Sequence, residues 1–145
     1  MIMVSACLMG KCVRYDGNNC KSENIYEILN SNHNFILICP EVLGGLSTPR
    51  NPCEIQDGSA ADVFSGNARV INSKGEDKTK EFISGAIKVL KLAKQYKPVR
   101  IYLKSKSPSC GIGVIYDGTF TGRLKKGNGI VAQMLIDNGF DVYSL

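Results

Sequence analysis

The stretch Met1-Ile2-Met3-Val4-Ser5-Ala6-Cys7 decides the fold, because it places a short apolar run directly before a cysteine. The same arrangement recurs twice: residues 35–38 precede Cys39, and residues 99–103 precede Cys110 after a brief loop. Short, continuous apolar runs are typical of strands buried in a parallel sheet. Since such sheets bind ligands outside the carboxyl ends of their strands, we expect three distant thiols to meet at one sheet edge.

Helical patterns separate these strands. Residues 77–96 form the strongest predicted helix, with apolar side chains every three or four residues and lysines largely opposite. Residues 23–31 and 127–138 are predicted as shorter helices, and residues 140–143 as a final strand. The alternation predicts an α/β fold: a single-domain, three-layer sandwich over residues 1–145 with a mostly parallel, Rossmann-like sheet.

Three further segments have weaker patterns. Residues 39–61 are rich in Gly, Pro, Ser and Asn, which predicts an ordered functional loop without regular structure. Residues 63–72 are predicted as a hairpin-like pair around Gly66-Asn67. Residues 114–117 and 119–121 are predicted as two short strands on either side of the turn Asp117-Gly118.

The composition excludes several classes of protein. Apolar residues make up 43% of the chain and charged residues 21%, as in an ordinary globular protein. The apolar runs are far shorter than the roughly 20 residues of a membrane helix. No signal-peptide pattern is visible at the N-terminus. We therefore expect a cytoplasmic protein with no membrane partner.

Six cysteines are many for a chain of this length in a reducing compartment, where clustered thiols more often bind metal or catalyse. No paired C-x2-C knuckle is present, and His33, the only histidine, is expected on the surface, so a zinc site is disfavoured. Three converging thiols indicate a metal-cluster site with one position not filled by cysteine. The alternative is that they fill the core, as we expect for most of the remaining cysteines, Cys12, Cys20 and Cys53.

The net charge of +5 leaves open an anionic partner. Lysines at 88–97 fit a solvated helix face, whereas the basic groups at 104–106 and 123–126 lie near the predicted active edge. Nucleic acid is unsupported as a partner, because no aromatic residues alternate with these cations. The sequence does not fix the oligomeric state.

Several separated motifs occur together and in order: Ser5-Ala6-Cys7-Leu8-Met9-Gly10, Val13-Arg14-Tyr15-Asp16-Gly17, Cys39-Pro40-Glu41-Val42, Gly44-Gly45-Leu46, Thr48-Pro49-Arg50, Glu54-Ile55, Lys104-Ser105-Lys106-Ser107-Pro108-Ser109-Cys110-Gly111 and Ile115-Tyr116-Asp117-Gly118-Thr119-Phe120. With these motifs the chain resembles the 2-thiouracil desulfurase family over essentially its whole length. The resemblance implies a [4Fe-4S] cluster held by Cys7, Cys39 and Cys110, with its fourth iron open. It also implies that Glu41 and Ser107 activate the substrate.

The implied reaction is the non-redox desulfuration of a thiolated pyrimidine such as 2-thiouracil, giving uracil and hydrosulfide. Soft thiolates suit an iron–sulfur cluster, and an open Lewis-acidic iron can take a soft thiocarbonyl sulfur while water adds to the carbon. Glu41 would act as base on the water or as proton donor to the ring, and Ser107 would relay a proton or hold the ring. Blander roles for these two residues are a helix cap and a turn.

Two other functions remain open. The first is the same cofactor acting on a thiolated nucleotide or tRNA base. Lys125 and Lys126 would favour such an anionic or larger substrate. A non-catalytic module that binds metal or sulfide is the second alternative.

Overall fold

The computed structural model describes residues 1–30 and 34–145. The predicted surface position of His33 and the last residue of the helix predicted at 23–31 lie outside this part of the chain. The elements follow the sequence in this order: β1 (Ile2–Ser5), a 3-10 helix (Ala6–Met9), α1 (Glu23–Leu29), β2 (Phe35–Ile38), α2 (Pro40–Leu43), β3 (Cys53–Gln56), α3 (Ala60–Ser65), β4 (Arg69–Asn72), α4 (Thr79–Tyr96), β5 (Arg100–Leu103), β6 (Val114–Tyr116), β7 (Leu124–Lys126), α5 (Ile130–Asp137) and β8 (Val142–Ser144).

A four-stranded sheet with the order β2-β1-β5-β8 forms the centre of the fold. All its paired strands are parallel, and Val4 of β1 lies opposite Leu37 on one side and Tyr102 on the other. The strands therefore end at the same edge, where the chain continues into the 3-10 helix, α2 and the loop after β5. This edge carries the candidate site.

The sheet is covered on both faces, as the period-two alternation of strand side chains requires. Met3, Ile101 and Leu103 belong to a large apolar cluster that includes buried residues of α4 and α5. Ile2, Val4 and Tyr102 belong to a second cluster, which Ile25 of α1 completes on the opposite face. The predicted α/β class, with a parallel sheet between helices, is confirmed.

The longest helix, α4, follows the predicted pattern. Phe82, Ala86, Val89 and Ala93 are buried at intervals of three or four residues and face the large cluster. The helix begins two residues later than predicted, because the Asp77 side chain accepts a hydrogen bond from the Thr79 N–H.

The predicted loop at 39–61 and hairpin at 63–72 are wrong. The first segment contains α2 and β3 as well as the start of α3. The second segment starts inside α3, which begins at a reciprocal capping box of Ser59 and Asp62 and ends at Gly66 with a left-handed φ of 84°. Strand β4 then pairs antiparallel with β3.

The second predicted hairpin is correct in its first strand only. Strand β6 pairs antiparallel with β7, which begins at Leu124, so residues 119–121 belong to the connection. Gly118, Phe120 and Gly122 all have left-handed φ angles, which interrupt extended structure.

Among residues 1–30 and 34–145, no helix has both the length and the apolar character needed to cross a membrane.

Candidate active site

A cavity of about 310 Å³ opens at the carboxyl edge of the central sheet. Ser5 at the end of β1, Ile38 at the end of β2 and Lys104 after β5 line it. Parallel strands bring their carboxyl ends to one edge, and loops that leave this edge surround the space beyond it. The cavity therefore lies where the sheet topology favours a ligand.

Cys7, Cys39 and Cys110 line this one cavity. Cys7 lies in the 3-10 helix after β1, Cys39 immediately before α2, and Cys110 in the loop after β5. Cys7 and Cys110 are 8% and 4% exposed, and Cys39 is half-buried. All three are free thiols. The structure thus brings together the three cysteines that sequence reasoning grouped.

The environment of these thiols disfavours free thiolates. Burial raises the pKa of Cys110 to about 11, although hydrogen bonds from Ser109 and Ser5 favour its thiolate. Burial also raises the pKa of Cys39, and the charge of Glu41 adds to this. The pKa of Cys7 is raised, first by its hydrogen bond to Cys20 and then by burial. The charges of Cys39 and Cys110 also raise the pKa of Cys7, so the three thiols interact. The positive charge of a bound cation would offset this repulsion and favour the thiolates, as in metal sites, where a coordinating thiol is deprotonated outright.

The chemistry of the donors fits an iron–sulfur cluster, because soft cysteine thiolates are the usual ligands of such clusters. Two hydroxyls face the Cys110 sulfur, Ser5 Oγ at 3.7 Å and Ser109 Oγ at 3.6 Å. Such hydrogen bonds tune cluster potentials.

Beside the thiols, a hydrogen-bonded chain leads from Arg50 to Ser107. Glu41 lies in the first turn of α2, and its Oε1 is 3.4 Å from Arg50 Nε. Its Oε2 accepts a 3.2 Å hydrogen bond from Ser109 Oγ, which is 3.1 Å from Ser107 Oγ. Ser107 Oγ in turn accepts a 2.7 Å hydrogen bond from the Cys110 N–H. The predicted pair Glu41 and Ser107 therefore lines the cavity with one hydroxyl between them.

That hydroxyl, on Ser109, was not among the predicted site residues. Ser109 is 1% exposed, and it contacts the carboxylate, the other serine and the Cys110 sulfur. The available signal was its position next to Cys110, but a serine beside a proline in a loop is ordinary turn chemistry.

The remaining cysteines differ from one another. Cys12 is exposed, whereas Cys20 is close enough to hydrogen bond to Cys7, which lowers the pKa of Cys20. Cys53 lines the cavity, but its thiol donates to the Asn51 carbonyl at 3.7 Å. The nearby charges that act on Cys53 are those of Glu41, Arg50, Lys78 and Glu81.

Cationic residues line the cavity, and the basic group predicted at 104–106 supplies two of them, whereas Lys125 and Lys126 are not among its lining residues. Arg14, Lys104 and Lys106 border it together with Arg50. Lys125 instead donates to the backbone carbonyls of Gly58 at 2.8 Å and Ile55 at 3.4 Å. The Lys125 ammonium therefore ties β7 to β3 and to the segment that follows it.

These features define an α/β protein with a cysteine-lined cavity at the carboxyl edge of its parallel sheet. Comparison with known proteins identifies the family of the chain. The sequence profile of the 2-thiouracil desulfurase family matches residues 2–145, and the chain belongs to this family. The predicted enzyme class, a desulfurase, is thereby confirmed.

Two relatives cover nearly the whole chain. The uncharacterized protein YbbK of Bacillus subtilis (strain 168) is 43% identical over 144 residues, which span 99% of this chain and 95% of YbbK. The solved structure of the [4Fe-4S]-dependent thiouracil desulfidase TudS matches with a TM-score of 0.85 at 39% identity. That match covers 99% of this chain and 89% of TudS.

Proposed function

We propose that residues 1–145 form one desulfidase domain that removes sulfur from a thiolated pyrimidine such as 2-thiouracil, giving uracil and hydrosulfide. We further propose that Cys7, Cys39 and Cys110 hold a [4Fe-4S] cluster, the cofactor on which the related TudS depends. One observation carries the proposal: three free thiols and a carboxylate–serine chain line the same cavity.

We propose three cysteine ligands and leave out Cys53, the fourth cysteine at the cavity, because it lies in β3 and not at the carboxyl edge of the central sheet. When bound, a three-cysteine cluster supplies an open Lewis-acidic iron that polarises the thiocarbonyl sulfur. The proton transfers and the positioning of the substrate are carried out by the side chains around the cluster.

Glu41 acts as the general base. Its carboxylate takes a proton from the water whose oxygen adds to the thiocarbonyl carbon, and then returns this proton to the sulfur. The C–S bond breaks with the sulfur leaving as hydrosulfide, while the added hydroxyl loses its remaining proton to solvent and becomes the carbonyl of uracil. The Arg50 guanidinium fixes this carboxylate through the 3.4 Å ion pair, while Ser109 holds its other oxygen. Ser107 donates to or accepts from the ring and exchanges its proton with Glu41 through Ser109.

The test is anaerobic turnover without added reductant. We expect the wild type to convert 2-thiouracil to uracil and sulfide in equal amounts, because the reaction is a hydrolysis. Glu41→Gln and Ser107→Ala should retain iron and lose turnover by about a hundredfold, the usual contribution of general acid–base groups. An absolute requirement for a reductant, or unchanged rates in both variants, would contradict the mechanism.

A second candidate substrate is a thiolated pyrimidine nucleotide, because Arg14, Lys104 and Lys106 line the cavity. Phosphate prefers such cationic groups. If the nucleotide is preferred, Arg14→Ala and Lys106→Ala should lower kcat/KM for 2-thio-UMP and spare 2-thiouracil. Lys126→Ala is the matched control, because Lys126 does not line the cavity. Equal losses with both substrates would contradict a phosphate site.

A further inference from the structure

The loop between β6 and β7 places one bulky residue in an unfavourable conformation. Phe120 has φ of +56°, between Gly118 at +96° and Gly122 at +81°. Glycine adopts such angles freely, but a phenylalanine rarely does. A strained residue that the surroundings hold in place is often part of a functional site.

Strand β3 holds this loop in place. Glu54 is 8% exposed, and its Oε1 accepts hydrogen bonds from the N–H groups of Gly118 at 2.9 Å and Phe120 at 3.2 Å. Gln56 donates from its side chain to the Gly118 carbonyl at 2.8 Å. A Cβ at Gly118 would stand 2.7 Å from the Ile55 carbonyl oxygen, so only glycine permits this close approach.

Core packing does not explain the position of Phe120. Within residues 1–30 and 34–145, both apolar clusters are built without its side chain, although Phe64 and Phe82 take part in the larger one. Phe120 instead lines the cavity that contains Cys7 and Glu41, and it is half-buried there. An aromatic side chain that lines a cavity outside the core, on a backbone fixed by hydrogen bonds, is available to bind a ligand.

We infer that Phe120 is a substrate-binding residue whose ring stacks on the pyrimidine ring, and that Glu54 is the positioning residue that fixes it. This inference rests on the proposed function, since it requires a planar heterocycle in the cavity. Aromatic side chains bind bases through their faces, and this stacking tolerates different ring substituents. Arg14, Lys104 and Lys106 would bind the phosphate of a nucleotide but nothing on a free base. Stacking on Phe120 requires only the pyrimidine ring, so it would bind a free base and a nucleotide alike.

The first test separates binding from chemistry in the cluster-containing enzyme. Phe120→Leu keeps an apolar side chain and removes the aromatic face, so KM for 2-thiouracil should rise about tenfold with a smaller change in kcat. Phe120→Tyr should restore most of this loss. Glu54→Ala should resemble Phe120→Leu, whereas Glu54→Gln should do less harm because its carboxamide oxygen still accepts the two N–H groups. Tyr96→Leu, on the exposed end of α4, is the matched control.

The second test measures binding without turnover. Calorimetric titration of the anaerobic enzyme with uracil should give a Kd about tenfold higher for Phe120→Leu and for Phe120→Gly than for the wild type. Glycine relieves the unfavourable φ, so Phe120→Gly should keep or raise the Tm while it weakens binding. A general folding defect would lower the Tm together with affinity.

Two results would overturn the inference, and they are distinguishable. If the wild type desulfurates 2-thiouracil while Phe120→Leu and Phe120→Gly bind uracil with wild-type affinity, the stacking role is wrong and the proposed function stands. If the wild type neither binds uracil nor desulfurates any thiolated pyrimidine, both are wrong.

Discussion

Ser109 connects the proposed acid–base residues with the cysteine ligands. Its hydroxyl lies within hydrogen-bond distance of Glu41 Oε2, Ser107 Oγ and the Cys110 sulfur. A hydroxyl has one proton to donate, so it can serve only one of these acceptors at a time. Ser109 is therefore placed to pass a proton between the carboxylate and Ser107.

Ser109→Ala should interrupt this path. We expect kcat to fall about a hundredfold, as for loss of an acid–base group, with little change in iron content. The Cys110 sulfur keeps its contact with Ser5 Oγ, so cluster binding should survive. Ser65→Ala removes an exposed serine that bonds only within its own helix region and is the control. Wild-type kcat for Ser109→Ala would contradict the relay.

Cys53 predicts a pH dependence of stability. Burial, the largest cause, raises the pKa of Cys53 from 9.0 to about 12. Between these values the folded protein keeps a proton that the unfolded chain loses, so the free energy of unfolding falls as the pH rises. In the cluster-free protein this fall should be steeper than in Cys53→Ser by about 1 kcal/mol per pH unit. Urea unfolding at several pH values from 9 upward measures both slopes, and equal slopes would contradict a buried, neutral Cys53.

At the level of elements, the contact between α2 and α4 positions part of the site. Cys39 precedes α2 directly, and Glu41 lies in its first turn. A Cβ built at Gly85 of α4 would overlap the Pro40 carbonyl, and one at Gly44 would overlap the Glu81 carbonyl. The two backbones approach this closely only because both positions are glycine.

Gly85→Ala should therefore disturb the site, because the added methyl group would push the backbones of α4 and α2 apart. Alanine gains up to about 1 kcal/mol of helix propensity, but overpacking costs roughly 1–3 kcal/mol, and here the neighbour is backbone that cannot turn aside. We expect a lower Tm and a reduced iron content, because α2 carries Cys39 away from the other thiols. Lys91→Ala, on the exposed face of α4, is the control. Unchanged Tm and iron content in Gly85→Ala would show that the two helices can separate without cost.

The same level explains which elements sequence reasoning missed. Strand β3 contains Glu54, a buried carboxylate, so its pattern lacks the apolar alternation of a buried strand. The carboxylate is tolerated because the Gly118 and Phe120 N–H groups satisfy it, and those partners are more than 60 residues away. The cap of α3 at Ser59 and Asp62 was readable, but Gly66-Asn67 resembled a hairpin turn.

At the scale of the whole molecule, β1, β2 and β5 of the central sheet were predictable because each consists mostly of consecutive apolar residues. Parallel topology then brings their carboxyl ends together, which is why Cys7, Cys39 and Cys110 could be grouped before any coordinates. Ser109 and Phe120 could not be assigned roles in this way. Ser109 contacts Glu41 and the Phe120 N–H contacts Glu54, each more than 60 residues away, and sequence spacing carries no information about such contacts.

The central claim is that Cys7, Cys39 and Cys110 hold the cluster. Anaerobic iron and acid-labile sulfide analysis tests it most directly, with Cys39→Ala as the main variant and Cys12→Ala, an exposed cysteine, as its control. The wild type and Cys12→Ala should each contain four irons and four sulfides per chain, as a [4Fe-4S] cluster requires. Cys39→Ala should lose most of both, since the two remaining ligands, Cys7 and Cys110, would hold the cluster only weakly. Full iron and sulfide in Cys39→Ala, or zinc in place of iron in the wild type, would contradict the account.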